Sequence, residues 1–270
     1  MSDAVFENLT IREYIPPTII LDNLLVNLDA GNTSSYSGSG NTWYDLSGNG
    51  YNTTLYGSPT YSSTNGGSLA FNSFTSTQYA EIIGYTQTSV TAYTISAWLK
   101  TTSNYQAIIC QNRGLASGTS GKSLTLGLTP YLNNTGSLGT SSAGRVFFAA
   151  DTDASVISIY SNASVNDGNW HNVVGVFYRA TGTVSFSSFR IYIDGSLAST
   201  TNGSSYFNSF VVPLTGLDNT AIGWHPAWQA FDSYSGKIDA SLGSILIYGK
   251  NLSDAEVLQN YNVTKARFGY

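Results

Sequence analysis

The segment Tyr93-Thr94-Ile95-Ser96-Ala97-Trp98-Leu99-Lys100 alternates strictly, with Tyr93, Ile95, Ala97 and Leu99 on one side of an extended chain. A period of two held over eight residues predicts a strand laid on a core. Working outward, the same texture recurs in Leu24–Asp29, Gln106–Cys110, Ser123–Leu128, Arg145–Ala150, Val156–Tyr160, His171–Tyr178 and Phe189–Ile193, most of them parted by Gly, Asn or Asp. Short strands at such spacing predict an all-β, two-sheet antiparallel sandwich. Asp194-Gly195, between Phe189–Ile193 and Ser196–Ala198, predicts a tight hairpin, because both central residues of a type I′ turn take positive φ. Near the end, Ser253 and Glu256 have the spacing of a capping box and open a short C-terminal helix.

The 270 residues include 19 Tyr, 12 Phe and 27 Gly, and only 10% are charged. That composition suits half-buried strands joined by small polar turns. A net charge of −5 with no basic run excludes a nucleic-acid surface, since phosphate binding depends on Lys and Arg releasing counterions. No apolar run of about 20 residues is present, so no membrane insertion by a helix is expected. The opening Met1-Ser2-Asp3-Ala4-Val5-Phe6-Glu7 lacks the basic and apolar regions of a signal peptide, which leads us to expect synthesis without export. Cys110, the one cysteine, sits beside Ile108 and Ile109 and reads as a buried thiol.

Residues 1–23 differ from the rest. They carry Glu7, Arg12 and Glu13 and end in the stiff pair Pro16-Pro17, so they are expected to form an anchoring or assembly arm before a sandwich spanning 24–270. If the arm docks on a partner, Val5, Phe6, Leu9, Ile11, Tyr14 and Ile15 are the side chains to be buried there.

Six segments, in order, carry a family resemblance: Trp43-Tyr44-Asp45-Leu46-Ser47-Gly48-Asn49-Gly50, Tyr93 to Lys100, Gly168-Asn169-Trp170-His171-Asn172-Val173-Val174, Arg190-Ile191-Tyr192-Ile193-Asp194-Gly195, Ala221-Ile222-Gly223, and Gly236-Lys237-Ile238-Asp239 followed by Leu252-Ser253-Asp254-Ala255-Glu256-Val257. The chain resembles the laminin-G-like, concanavalin A-like jelly rolls, in the branch found in tailed-bacteriophage virion proteins. The resemblance implies a non-enzymatic virion structural protein of capsid-decoration or tail-fibre type, contacting other capsid or tail proteins through the arm. The alternative is a carbohydrate-binding module or lectin that mediates adhesion to host-surface glycans, and a homo-oligomer is compatible with either. Folds of this kind host many functions, so the choice rests on sites.

Catalysis by glycosidases of this fold needs two carboxylates about 5–10 Å apart. The glutamates here are Glu7, Glu13, Glu81 and Glu256, no two of them close along one strand, and Asp151 and Asp153 read as solvated acids at a strand end. His171, alternating with Val173, is expected to be packed and bonded to a neighbour. We therefore expect no enzyme. A hard cation such as Ca²⁺ suits acid-rich loops better, and the residues for it are Asp45, Asn49 and Asp239, although Asp45 equally fits an Asx-turn. Trp224, His225, Trp228, Phe231 and Tyr234 form a concentrated aromatic segment that would stack on sugar rings, anchor a protein interface, or cap the core.

Overall fold

Side chains that alternate about an extended backbone bury one face, and a sheet whose second face is also apolar must find a cover for it. Both consequences appear in the computed structural model, which describes residues 17–72, 77–82, 84–85, 90–104, 106–112, 123–128, 143–152, 155–179, 184–203, 209–210, 219–223 and 238–270. The strands begin with β1 (Leu24–Asp29), β2 (Thr42–Trp43), β3 (Thr53–Tyr56), β4 (Thr60–Ser62), β5 (Ser68–Asn72), β6 (Tyr79–Ile82), β7 (Ala92–Lys100) and β8 (Gln106–Asn112). They continue with β9 (Ser123–Leu128), β10 (Arg145–Thr152), β11 (Ser155–Ser164), β12 (Trp170–Tyr178), β13 (Val184–Ser185), β14 (Phe189–Ile193), β15 (Ser196–Leu197), β16 (Thr200–Asn202), β17 (Ser209–Phe210), β18 (Asn219–Ile222) and β19 (Asp239–Tyr248). Helix α1 (Asp254–Thr264) and a 3-10 turn (Lys265–Phe268) follow.

Two antiparallel sheets stack face to face. One runs β15-β14-β12-β7-β19-β5-β4, with β1 also paired to β19; the other runs β16-β11-β10-β9-β8-β18-β6-β3-β2. Tyr93, Ile95, Ala97 and Leu99 of β7 enter the core between them, together with Phe148, Val173, Ile191, Ile222 and Ile245. The hairpin falls where the sequence puts it: Ile193 pairs with Ser196, and Asp194 and Gly195 have φ of 51° and 77°. The helix starts on the expected box, since Ser253 Oγ accepts from the Glu256 amide and the Glu256 carboxylate accepts from the Ser253 amide.

The second face of β7 is covered as well. Trp98 stacks on Phe268 with centroids 4.2 Å apart and planes 16° apart, and Trp170 and Tyr261 complete that cluster. Further along, Val174, Val176, Tyr192, Leu246 and Tyr248 are closed off by Leu252 and Val257, with Ile19 and Ile20 packed against them. Residues 17–22 are therefore docked on the body. Asn260 Oδ1 accepts from the Ile20 amide at 2.8 Å, Gln259 Nε2 donates to the Thr18 carbonyl at 2.8 Å, and Lys250 pairs with Asp22 at 2.8 Å. An arm ending at residue 23 is thus corrected at its inner boundary: the last turn before β1 belongs to the folded body because it covers apolar sheet. Residues 1–16, with Val5, Phe6, Leu9, Ile11, Tyr14 and Ile15, lie outside the described residues.

Candidate functional site

The open seam between the sheets is where a ligand can reach the core's edge. Strand β4 ends one sheet, and β3 and β2 end the other. The loop from β1 to β2 crosses between them. Where they meet, Tyr36, Gly38, Ser39, Gly40, Asn41, Leu55, Ser58, Pro59 and Tyr61 line a pocket of about 470 Å³. Leu55 and Pro59 are buried and form its apolar floor; Ser39, Asn41 and Ser58 are exposed at its rim.

The aromatic wall is Tyr61 with Tyr36 behind it, ring centroids 5.5 Å apart and planes inclined by 52°. Tyr36 is only 4% exposed, and its hydroxyl donates to the Gly40 carbonyl at 3.1 Å. Burial, followed by the neighbouring Tyr61, holds the Tyr36 phenol above its ordinary range, so it stays neutral at physiological pH. The loop can turn here because Gly38 and Gly40 adopt φ of 96° and 98°, a region that side chains disfavour. At Gly38 a Cβ would stand 3.3 Å from the Tyr61 ring, so the glycine also permits the close approach that shapes the wall. Among the described residues, the side chains of Ser39, Asn41 and Ser58 make no hydrogen bond within the protein and are free for a ligand. A half-buried ring, an apolar floor and a few unused amide and hydroxyl groups are the chemistry of a site for a neutral polar molecule with an apolar face.

The residues expected to hold Ca²⁺ are arranged otherwise. Asp45 Oδ1 accepts from the Asn27 and Ser47 amides, each at 2.9 Å, while Oδ2 accepts from Ser47 Oγ at 2.7 Å and the Tyr51 amide at 3.1 Å. Four donors fill the carboxylate's lone-pair sites, as in an elaborated Asx-turn. Asn49 is brought beside it, donating to the Leu24 and Leu25 carbonyls and to Ser47 Oγ. Asp239 is not. It lies at the far end of β19, seven residues from Leu246, which faces Asn27, and at about 3.3 Å per residue that places it roughly 20 Å away. There it accepts from Ser103 Oγ at 2.7 Å. The three residues do not fit one cation, and no group of three or more His, Cys, Asp and Glu is gathered anywhere among the described residues.

His171 is bonded as expected, and more tightly than one partner would give. Its Nδ1 lies 2.8 Å from Asp194 Oδ2 and its Nε2 lies 3.2 Å from Asp167 Oδ1. The Asp194 hydrogen bond, opposed by burial and aided by Asp167, raises the imidazole above its ordinary range. Hydrogen bonds from the Asn169 amide and side chain lower Asp167. An imidazole with both ring nitrogens held by carboxylates is a clamp between the Asp167 turn and the Asp194 hairpin. The described glutamates are also engaged: Glu256 serves the capping box and Lys250, and Glu81 accepts from the Tyr56 hydroxyl at 3.1 Å. Trp224, His225, Trp228, Phe231 and Tyr234 lie outside the described residues, as does Asp153.

The pocket was missed by reading the sequence because its parts are 25 residues apart in a stretch of Gly, Ser and Asn that looks like plain loop. The only local signal was the Gly38-Ser39-Gly40 turn close after Tyr36.

Comparison with known proteins follows the same lines. The binding domain of botulinum neurotoxin serotype G superposes with a TM-score of 0.59 at 16% identity, covering 90% of this chain and 52% of that one. The binding domain of Paraclostridial Mosquitocidal Protein 1 gives 0.57 at 11% identity, with coverage of 90% and 52%. A structure of botulinum neurotoxin type C, a toxin dependent on interaction with two ganglioside molecules to get into cells, gives 0.56 at 16%, with coverage of 91% and 52%. The chain thus spans about half the length of the structures it matches, and at these identities the likeness is one of fold. No curated protein matches in sequence. No helix among the described residues is long and apolar enough to cross a membrane. The family model described as concanavalin A-like lectin/glucanases superfamily, of the laminin G type, matches residues 74–258, well over half of the chain. With its stacked antiparallel sheets, the chain belongs to the concanavalin A-like lectin/glucanase superfamily.

Proposed function

We propose that the chain is a non-enzymatic recognition module that binds a glycan in the pocket between Tyr36 and Tyr61. The observation that carries this reading is the pocket's make-up: an aromatic wall on an apolar floor, rimmed by Ser39, Asn41 and Ser58 side chains that no other described residue uses. Sugar rings offer a C–H face for stacking and a hydroxyl edge for hydrogen bonding, and the pocket has a counterpart for each. The family includes both lectins and glucanases, and the receptor-binding and binding domains of toxins that share the fold support the binding reading. A glycan array probed with the full chain and with Tyr61→Ala tests it. Binding by the first and loss of at least about tenfold in the second is expected; equal signals, or none, would refute it.

A second reading adds the context in which the module works. Thr18, Ile20 and Asp22 are fastened to α1 and Lys250, so the described chain starts at a fixed point on the body, which suits attachment through residues 1–16 to a larger particle. A virion decoration or fibre role is the form of this suggested by the sequence resemblance. Locating the chain in purified particles, and its loss when residues 1–16 are removed, tests that role.

A further inference from the structure

We infer that the pocket selects an uncharged sugar and discriminates against sialylated, sulfated and uronic-acid glycans. This rests on the glycan reading above and deepens it. None of the nine lining residues carries a charge. A carboxylate or sulfate taken from water needs a guanidinium, an ammonium or several amide donors to replace its hydration, and without them its burial is costly.

Four of the described cations are engaged elsewhere. Arg267, which passes under the Asn65-Gly66-Gly67 turn beyond β4, pairs with Asp29 and also donates to the carbonyls of Asn65, Gly67 and Gly243. Lys250 is held by Asp22 and Glu256. Arg190 lies 3.9 Å from Asp254, and Lys265 sits over the Tyr261 ring.

The orientation of Tyr36 points the same way. Its hydroxyl proton is given to the Gly40 carbonyl, so what remains for a ligand is lone pairs. Lone pairs accept from a sugar hydroxyl and repel a carboxylate. Asn41, Ser39 and Ser58 can donate or accept, which suits the mixed hydroxyl edge of a neutral hexopyranose. With a net charge of −5, the molecule as a whole adds no attraction for anions.

The test is an array of neutral, sialylated and sulfated oligosaccharides, probed at low and high salt with the full chain, Tyr61→Ala and Asn41→Ala. Asn41 is exposed, so its variant keeps the inference testable should Tyr61→Ala misfold. Binding confined to neutral glycans, changing less than about twofold with salt because no ion pair is screened, and weakened by about tenfold in either variant, is the expected result. Binding of sialylated or sulfated glycans that falls with salt and with both variants would overturn the inference while leaving glycan binding at this pocket standing. Neutral binding indifferent to both variants would move the site elsewhere and overturn both, and no glycan binding at all would end the glycan reading and this inference with it.

Discussion

Tyr61 on β4 and Tyr36 in the loop after β1 meet at 5.5 Å across the seam between the two sheets, and Gly38 is the residue that lets them do so. Gly38→Ala forces a side chain into a φ of 96° and sets a methyl group 3.3 Å from the Tyr61 ring. We expect a loss of about 1 kcal/mol of stability, read by chemical denaturation. Sugar binding should weaken more than the stability loss explains, because the ring must rotate to clear the methyl.

Removal of residues 1–16 should leave the melting temperature unchanged. Removal through Asp22 should lower it, since Ile19 and Ile20 come off Val174, Leu246 and Tyr248 and each half-buried isoleucine contributes about 1–2 kcal/mol. Thermal melts of the two shortened chains decide this, and equal values would mean that the segment only rests on the surface.

The His171 clamp makes stability depend on pH in a defined direction. The imidazole titrates higher in the folded chain than in the unfolded one, so its contribution is complete below the ordinary histidine value near about 6.5 and is lost as pH rises through the raised folded value. Asp167 acts at the other end. Its value is lowered on folding, so its contribution holds above the ordinary carboxylate range and fades as pH falls through the folded value. Urea midpoints should therefore decline between neutral and mildly alkaline pH in the native chain and stay flat there in His171→Gln; identical profiles would remove the clamp from the account.

Arg267 ties the end of the chain to its beginning through Asp29 and three backbone carbonyls. One guanidinium fork makes all four contacts, which an ammonium cannot match. Arg267→Lys should lose about 1–3 kcal/mol and Arg267→Ala somewhat more, measured by denaturant unfolding. A lysine variant as stable as the native chain would show that only the charge matters.

At Asp45 the carboxylate accepts four hydrogen bonds, two of them from the Asn27 and Tyr51 amides. Asp45→Ala should cost about 1–3 kcal/mol by orphaning them, and EDTA should leave the native melting temperature where it is. A rise of several degrees with added Ca²⁺ would instead make Asp45 a metal ligand.

Much of the fold could be read in advance because its signals are local. Alternation in Tyr93 to Lys100, the Asp194-Gly195 turn and the Ser253–Glu256 box each act within a few residues, and each appears in the structure. What escaped is non-local. Nothing near Trp98 announces that Phe268, 170 positions later, will cover it, so a strand expected to show one buried face has two. The pocket escaped for the same reason. Tyr36 and Tyr61 are loop and edge-strand residues whose meaning depends on how two sheets are stacked, whereas the aromatic run from Trp224 to Tyr234, outside the described residues, is visible in the sequence because its rings are close together there.

The most direct test of the central claim is the ring signals of Tyr36 and Tyr61 in the full chain, labelled at tyrosine and titrated with a neutral oligosaccharide that binds it. The account predicts saturable shifts at Tyr61 and Tyr36, larger than those at the exposed Tyr44 and Tyr178. Shifts absent from that pair while the sugar binds would contradict it.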